Sequence, residues 1–222
     1  MIPLRDTQPS NSFPFVTLLI IVANVLIFFF QLSLEPHFLN YFIANYGIVP
    51  DRFQLADLVT SMFLHGGWMH LIGNMWFLWI YGDNVEDVVG HGRFLLFYLM
   101  CGVAAGLVHV LLNADSRVPT VGASGAIAGV MGAYMVKFPR SKVLTLIPIF
   151  IFFTTVEIPA FFILLYWFVI QIFSGLGSVG VSNVSRGGVA WFAHIGGFVA
   201  GIGLVYLLGT RERFRHRSDL RW

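Results

Sequence analysis

Charge is what this chain has least of. Asp, Glu, Lys and Arg together make up 11% of the 222 residues, where a soluble domain carries about a quarter. With 57% hydrophobic residues and a mean hydropathy of +0.79, a free-standing water-soluble domain is excluded. Cysteine is nearly absent too. The single Cys101 has no partner for an internal disulfide or a multi-cysteine zinc site, and reads as a small buried hydrophobe. No His-Glu-x-x-His occurs, so the usual zinc-protease helix is missing. The residues before the first apolar run lack a basic n-region and a small-residue cleavage site, so that run reads as a retained span, not a signal peptide.

What is present is apolar sequence in lengths suited to a bilayer. At about 20 residues per span, the chain divides into helices at roughly 14–32, 66–82, 94–112, 121–138, 158–175 and 188–208. The expected architecture is an all-α polytopic membrane protein of six transmembrane helices, one membrane domain over 1–222. A short cytoplasmic N-terminus, 1–13, and a basic cytoplasmic tail, 209–222, flank it. Lys and Arg set the orientation. With both termini inside, Arg5, Arg93, Lys137, Arg140, Lys142, Arg211, Arg213, Arg215, Arg217 and Arg221 are cytoplasmic, and only Arg52, Arg117 and Arg186 lie outside. The arginine-rich tail is then a topological anchor, and no nucleic-acid partner is expected.

The connections carry their own signals. Residues 33–64 mix Phe, Tyr, Pro and polar residues over a length uncommon for an idle loop. They read either as short helices lying in the outer leaflet or as an inert tether. His65 stands at the entrance of the second span, suited to tying down loop backbone. The acids of Gly82-Asp83-Asn84-Val85-Glu86-Asp87 are expected to be solvated at the cytoplasmic boundary. His109, near the outer end of span three, reads as a hydrogen-bonded interfacial histidine. The run Val143 to Phe153, broken by Pro148, is too short and β-prone to span and reads as a hairpin or a re-entrant loop packed on protein. Aromatics of span five are expected to contact lipid and helices. The Gly- and Ser-rich connection from Ser174 to Gly188 has the composition of a flexible flap.

The stretch Val121-Gly122-Ala123-Ser124-Gly125-Ala126-Ile127-Ala128-Gly129-Val130-Met131-Gly132-Ala133 has one hydroxyl, expected one or two turns inside the start of its helix. Alone, its Gly125/Gly129 and Ala128/Gly132 spacings read as close helix packing, with Ser124 one more small residue. Other polar groups alter that reading. His194 lies on a stripe with Ala190, Gly197 and Gly201 in span six, and His70 and Asn74 share one face of span two. Polar groups inside spans are costly and point to function. Counted from the outer ends, Ser124, His70 and His194 lie at a common depth of roughly 6–9 Å.

That layer can perform acyl transfer. A serine hydroxyl needs a neighbouring base, and an imidazole supplies one. No Asp or Glu shares the depth, so the pattern is a Ser124–His194 pair, not a triad. The Ser124 backbone N–H, His70 and the Asn74 amide are candidate donors to an oxyanion. No cofactor or metal is called for.

Gly122-Ala123-Ser124-Gly125, His70-x-x-x-Asn74 and Ala193-His194-x-x-Gly197-x-x-x-Gly201, in that six-span context, resemble the rhomboid intramembrane serine proteases. The resemblance implies cleavage of transmembrane protein substrates in or near their spans by a Ser124–His194 dyad, with His70 and Asn74 supporting the oxyanion. His65, Gly122, Gly125, Gly197 and Gly201 would be structural residues near the site. Many members have an aromatic residue four positions after the serine; here it is Ala128, so another group must orient His194. The Trp-Arg pair often found in the first outer loop is also missing. The implied setting is a prokaryotic plasma membrane, with the site open to its outer face. The alternative is a catalytically inactive rhomboid-like protein that binds or escorts transmembrane clients. A six-span transporter lacks its interrupted helices here, and a soluble α/β-hydrolase its strand–elbow–helix.

Overall fold

A computed structural model describes residues 1–149, 152–178 and 190–209. In chain order its elements are β1 (Ile2–Asp6), α1 (Phe15–Ser33), α2 (Pro36–Tyr46), α3 (Asp57–Thr60), α4 (Trp68–Val89), α5 (His91–Leu112), α6 (Ser124–Lys137), β2 (Lys142–Ile149), β3 (Phe152–Pro159), α7 (Ala160–Ser178) and α8 (Trp191–Leu207). Each expected apolar segment is therefore a helix. Phe15–Ser33, His91–Leu112 and Ala160–Gly177 are long and apolar enough to cross a membrane, and Trp191–Leu207 is a shorter apolar helix. Below, the Ser124 end of α6 is its upper end and the Lys137 end its lower. The flap beyond Ser178, from Gly180 to Gly188 with Arg186, and the arginine-rich tail beyond Gly209 lie outside the described residues.

α6 is the axis of the bundle. Every residue from Gly125 to Met135 is buried, and α4, α5, α7 and α8 all pack against it. Packing between apolar helices in lipid gains little from the hydrophobic effect, so close approach and hydrogen bonds decide it. The closest approach is the α6–α8 seam. A Cβ on Gly197 would collide with the Gly125 carbonyl oxygen, and one on Gly201 with that of Gly129. On the other flank of α6, Gly125 faces Ala105 and Gly129 faces Cys101, which is buried as expected.

Three expectations are corrected. First, the molecule is mostly helical but not all-α. β1, β2 and β3 form an antiparallel sheet in that order, so the hairpin option for the Val143 region is the one realised. The residues expected as a plain N-terminal extension supply its third strand, because a two-stranded hairpin alone is marginal. Second, Glu86 is not solvated but fully buried. Its carboxylate accepts hydrogen bonds from the Val16 and Thr17 amides (2.8 and 2.7 Å) and the Thr17 hydroxyl. A negative charge therefore satisfies the open N–H groups at the start of α1, where the helix dipole favours it. Third, Ser124 is the first residue of α6, not a turn inside it. Gly122 has φ +126°, and Thr120 is bridged to Ile48 in extended conformation, so the chain cannot be helical before Ser124.

The long connection after α1 contains short helices, as one of its two readings held. α2 buries none of its residues, and α3 and two single 3-10 turns follow.

Gly201→Val puts a branched side chain against backbone that cannot move aside. It should cost about 3 kcal/mol, the upper end of overpacking penalties, read as a fall in melting temperature in detergent. Gly203→Ala, on the open side of the same helix, should leave melting unchanged or slightly raised; equal effects of the two would discount the seam.

Candidate active site

The site is assembled at the upper ends of α4, α6 and α8. Gly122 N–H donates to the Ser61 carbonyl (2.9 Å), and any Cβ there would meet the His70 ring at 2.6 Å and the Asn74 amide at 3.5 Å. Positive φ and this crowding both demand glycine. The turn so formed delivers Ser124 at the helix start, where backbone N–H groups lack intrahelical partners. Ser124 is half-buried.

His194, in the first turn of α8, is buried. Its Nε2 lies 2.8 Å from Ser124 Oγ, and its Nδ1 lies 2.8 Å from Oε1 of Gln171 on α7. Gln171 Nε2 donates to the Trp167 carbonyl at 3.3 Å, which turns the amide oxygen toward the histidine. The network therefore assigns the ring hydrogen to Nδ1 and leaves the Nε2 lone pair for the serine proton. Trp167 also packs against the imidazole at a tilt of 36°, centroid to centroid 5.7 Å, and Trp191 is T-shaped to it at 6.4 Å. These are the groups that take up the orienting task Ala128 leaves open. Gln171 was not singled out from the sequence, where span five read as lipid and helix contact. The available signal was a lone amide in an apolar helix.

Along α4 the Asn74 amide nitrogen lies 3.0 Å from His65 Nε2. Burial first, and neighbouring His70 second, push the His65 pKa down to about 4. The ring is thus neutral at pH 7 and can accept from the amide. His65 is held in turn by Gln31 of α1, which accepts from its N–H at 3.0 Å and donates to its carbonyl at 3.1 Å. That clamp was also missed, because nothing local links Gln31 to a residue 34 positions away. Gly66 N–H points at His70 Nδ1 (3.4 Å), leaving the other ring nitrogen as the donor, on the Gly122 side. His109 stands apart, bonded to the Thr120 hydroxyl (2.8 Å) and near the Asn113 amide (3.4 Å).

A profile of the Rhomboid domain matches residues 52–211. The chain belongs to the rhomboid family. Among its curated relatives, the mitochondrial presenilin-associated rhomboid-like protein of Homo sapiens is 32% identical over 138 residues, covering 60% of this chain and 36% of that protein. The mitochondrial RHOMBOID-like protein 6 of Arabidopsis thaliana is 33% identical over 73% of this chain and 48% of its own length. Rhomboid-like protein 11, chloroplastic, from the same plant is 34% identical over 68% and 52%. The chain thus spans about a third to a half of the relatives it matches. As a rhomboid protein it resides in a membrane. The organellar names of these relatives lend no support to the plasma-membrane setting expected from the sequence.

Loss of the Gln171 carbonyl frees the His194 ring to turn or change tautomer. Gln171→Leu should slow covalent labelling of Ser124 by a fluorophosphonate at least about tenfold, a share of the ~10²–10⁴ that a positioned base contributes, with melting unchanged. An unchanged labelling rate would remove Gln171 from the site.

His65 gives a pH signature. Its folded-state pKa lies below the ordinary 6.5, so the folded protein refuses a proton that the unfolded chain accepts. Its contribution to stability is full above about pH 6.5 and is lost as pH falls toward 4. Melting temperature should drop over that window, and less steeply in His65→Asn; parallel curves would exclude His65 as the titrating group.

Proposed function

We propose that this rhomboid protein is an intramembrane serine endopeptidase that hydrolyses peptide bonds in or near the transmembrane segments of membrane proteins. The observation that carries the reading is the relay from Gln171 Oε1 to His194 Nδ1 and from His194 Nε2 to Ser124 Oγ, each link 2.8 Å. In the proposed reaction the serine proton passes to His194 Nε2 as Oγ attacks the scissile carbonyl carbon. The tetrahedral oxygen is stabilised by the Ser124 N–H, His70 and Asn74, which flank Gly122 beside the nucleophile. His194 then returns its proton to the leaving amine, and water, activated by the same imidazole, releases the acyl group. A neutral glutamine takes the place of a triad carboxylate. It fixes the tautomer without placing a second charge in a low-dielectric site.

The placement proposed with it is six spans, α1, α4, α5, α6, α7 and α8, with both termini cytoplasmic and the Ser124 end toward the outer face. Supporting this are the Lys and Arg distribution and the common level of the polar groups. Ser124, His70 and His194 all fall in the first turns of their helices. Water therefore has a short path to the site while lipid surrounds the lower bundle.

A fluorophosphonate should label wild-type protein stoichiometrically in detergent and fail on Ser124→Ala. Ser124→Ala and His194→Ala should each abolish cleavage of a single-span test substrate, the double variant being scarcely worse, because groups acting as one unit are non-additive. Asn74→Ala should cleave about 10²–10³-fold more slowly, the loss typical of one oxyanion donor. An unlabelled serine in folded wild-type protein would instead favour a rhomboid-like escort without catalysis.

A further inference from the structure

The proposed chemistry leaves the β-sheet without a task, and its position suggests one. Trp76 Nε1 donates to the Pro3 carbonyl (2.7 Å) and the Asn84 amide to the Asp6 carboxylate (3.1 Å), which Tyr134 of α6 also reaches with its hydroxyl. Trp76 and Asn84 lie ~12 Å apart along α4, and Pro3 and Asp6 ~10 Å apart along a strand. β1 therefore runs parallel to α4 beside it, and the sheet stands upright along the bundle. Pro3 pairs with Thr145, so the paired segments from Leu146 to Ile149 and from Phe152 to Thr155 rise past Trp76 toward the level of Asn74. Through Pro159 the third strand continues directly into α7, the helix of Gln171. The sheet thus joins the two helices that hold Asn74 and Gln171.

Among the described residues β3 pairs only with β2, and Phe152 and Phe153 are more than 70% exposed. Its ladder phase identifies the free groups. Ala160 N–H donates to the Ser141 carbonyl, so hydrogen-bonded pairs fall at 158/143, 156/145 and 154/147, and the amides of Phe153, Thr155 and Glu157 point away from β2. In lipid, an open strand edge leaves each such group at a cost of several kcal/mol, and exposed edges are not tolerated there. Acyl chains offer neither donors nor acceptors. A transmembrane substrate has the converse problem. Ser124 can attack a backbone carbonyl only after the local helix has opened, which leaves the substrate's own N–H and C=O groups unpaired in the same medium.

We infer that the outer edge of β3 is the docking strand for the substrate's transmembrane segment, which pairs with it as a fourth, extended strand and is thereby held open beside Ser124 and His194. Each side supplies the hydrogen-bond partners the other lacks, the logic of strand addition. The inference rests on the endopeptidase reading for the identity of the partner.

Site-directed cross-linking decides it without any need for catalysis. Thr155→Cys in a Cys101→Ala, Ser124→Ala background is reconstituted in phosphatidylcholine vesicles with a single-span test substrate carrying one cysteine at successive positions. Disulfides at every second substrate position are expected. A period of three to four, cross-links only between two copies of β3, or none at all would overturn the inference. In the otherwise wild-type protein, Thr155→Pro removes one outward N–H and leaves the β2 ladder intact. It should slow cleavage of the single-span substrate at least tenfold while fluorophosphonate labelling of Ser124 stays unchanged. Unchanged cleavage would overturn the docking strand alone. Failure of labelling in wild-type protein would overturn the endopeptidase reading, and the cross-link period would still report on the edge.

Discussion

The contact on which the rest depends is the glycine seam between α6 and α8. Where Gly197 meets Gly125 and Gly201 meets Gly129, backbone lies directly on backbone, and the two helices are fixed at a spacing no side chain could tolerate. Ser124 and His194 stand at the top of that seam, one from each helix. Their 2.8 Å separation follows from the packing of Gly197 and Gly201, one and two turns below His194, on Gly125 and Gly129. In lipid, where helices gain little by hiding apolar surface from one another, such a seam is the available means of setting distance.

Orientation comes from a different source. A spacing places the imidazole near the hydroxyl, but hydrogen bonds decide which nitrogen faces it. Gln171 does this for His194, and the Gln31–His65–Asn74 chain does the corresponding work on α4. These polar groups are three neutral amides and a neutral imidazole, which suits a site where an unpaired charge would cost most. The one fully buried carboxylate described above, Glu86, is kept well away. It sits at the lower end of α4, where the start of α1 supplies three donors.

The upright sheet gives this flank of the molecule a character that a helical bundle lacks. A helix presents side chains and conceals its backbone, whereas the free side of a strand presents backbone groups in a row. Placed between the helix of Asn74 and the helix of Gln171, such an edge can engage another chain irrespective of its side chains. Seam, relay and edge then divide the work as distance, orientation and access.

The sequence alone carried the apolar segments and the polar layer, because both are expressed in composition and short-range spacing. A long apolar run is a helix wherever it lies, and Ser124, His70, Asn74 and His194 stood out because polar groups are rare in such runs. Gln171 was written in the same signal but was passed over, because span five was read through its aromatics. Other features arise between segments far apart in the chain. Gln31 reaches His65, Glu86 reaches Val16 and Thr17, and the first strand pairs with Val143 to Leu146 from the other end of the sequence's first two-thirds. The start of α6 at Ser124 likewise required the bridge from Thr120 to Ile48 and the turn at Gly122. Local spacing could say which residues were out of place in an apolar chain. Only the packed helices could decide which of them touch, since a hydrogen bond depends on a few tenths of an ångström that no one-dimensional pattern records.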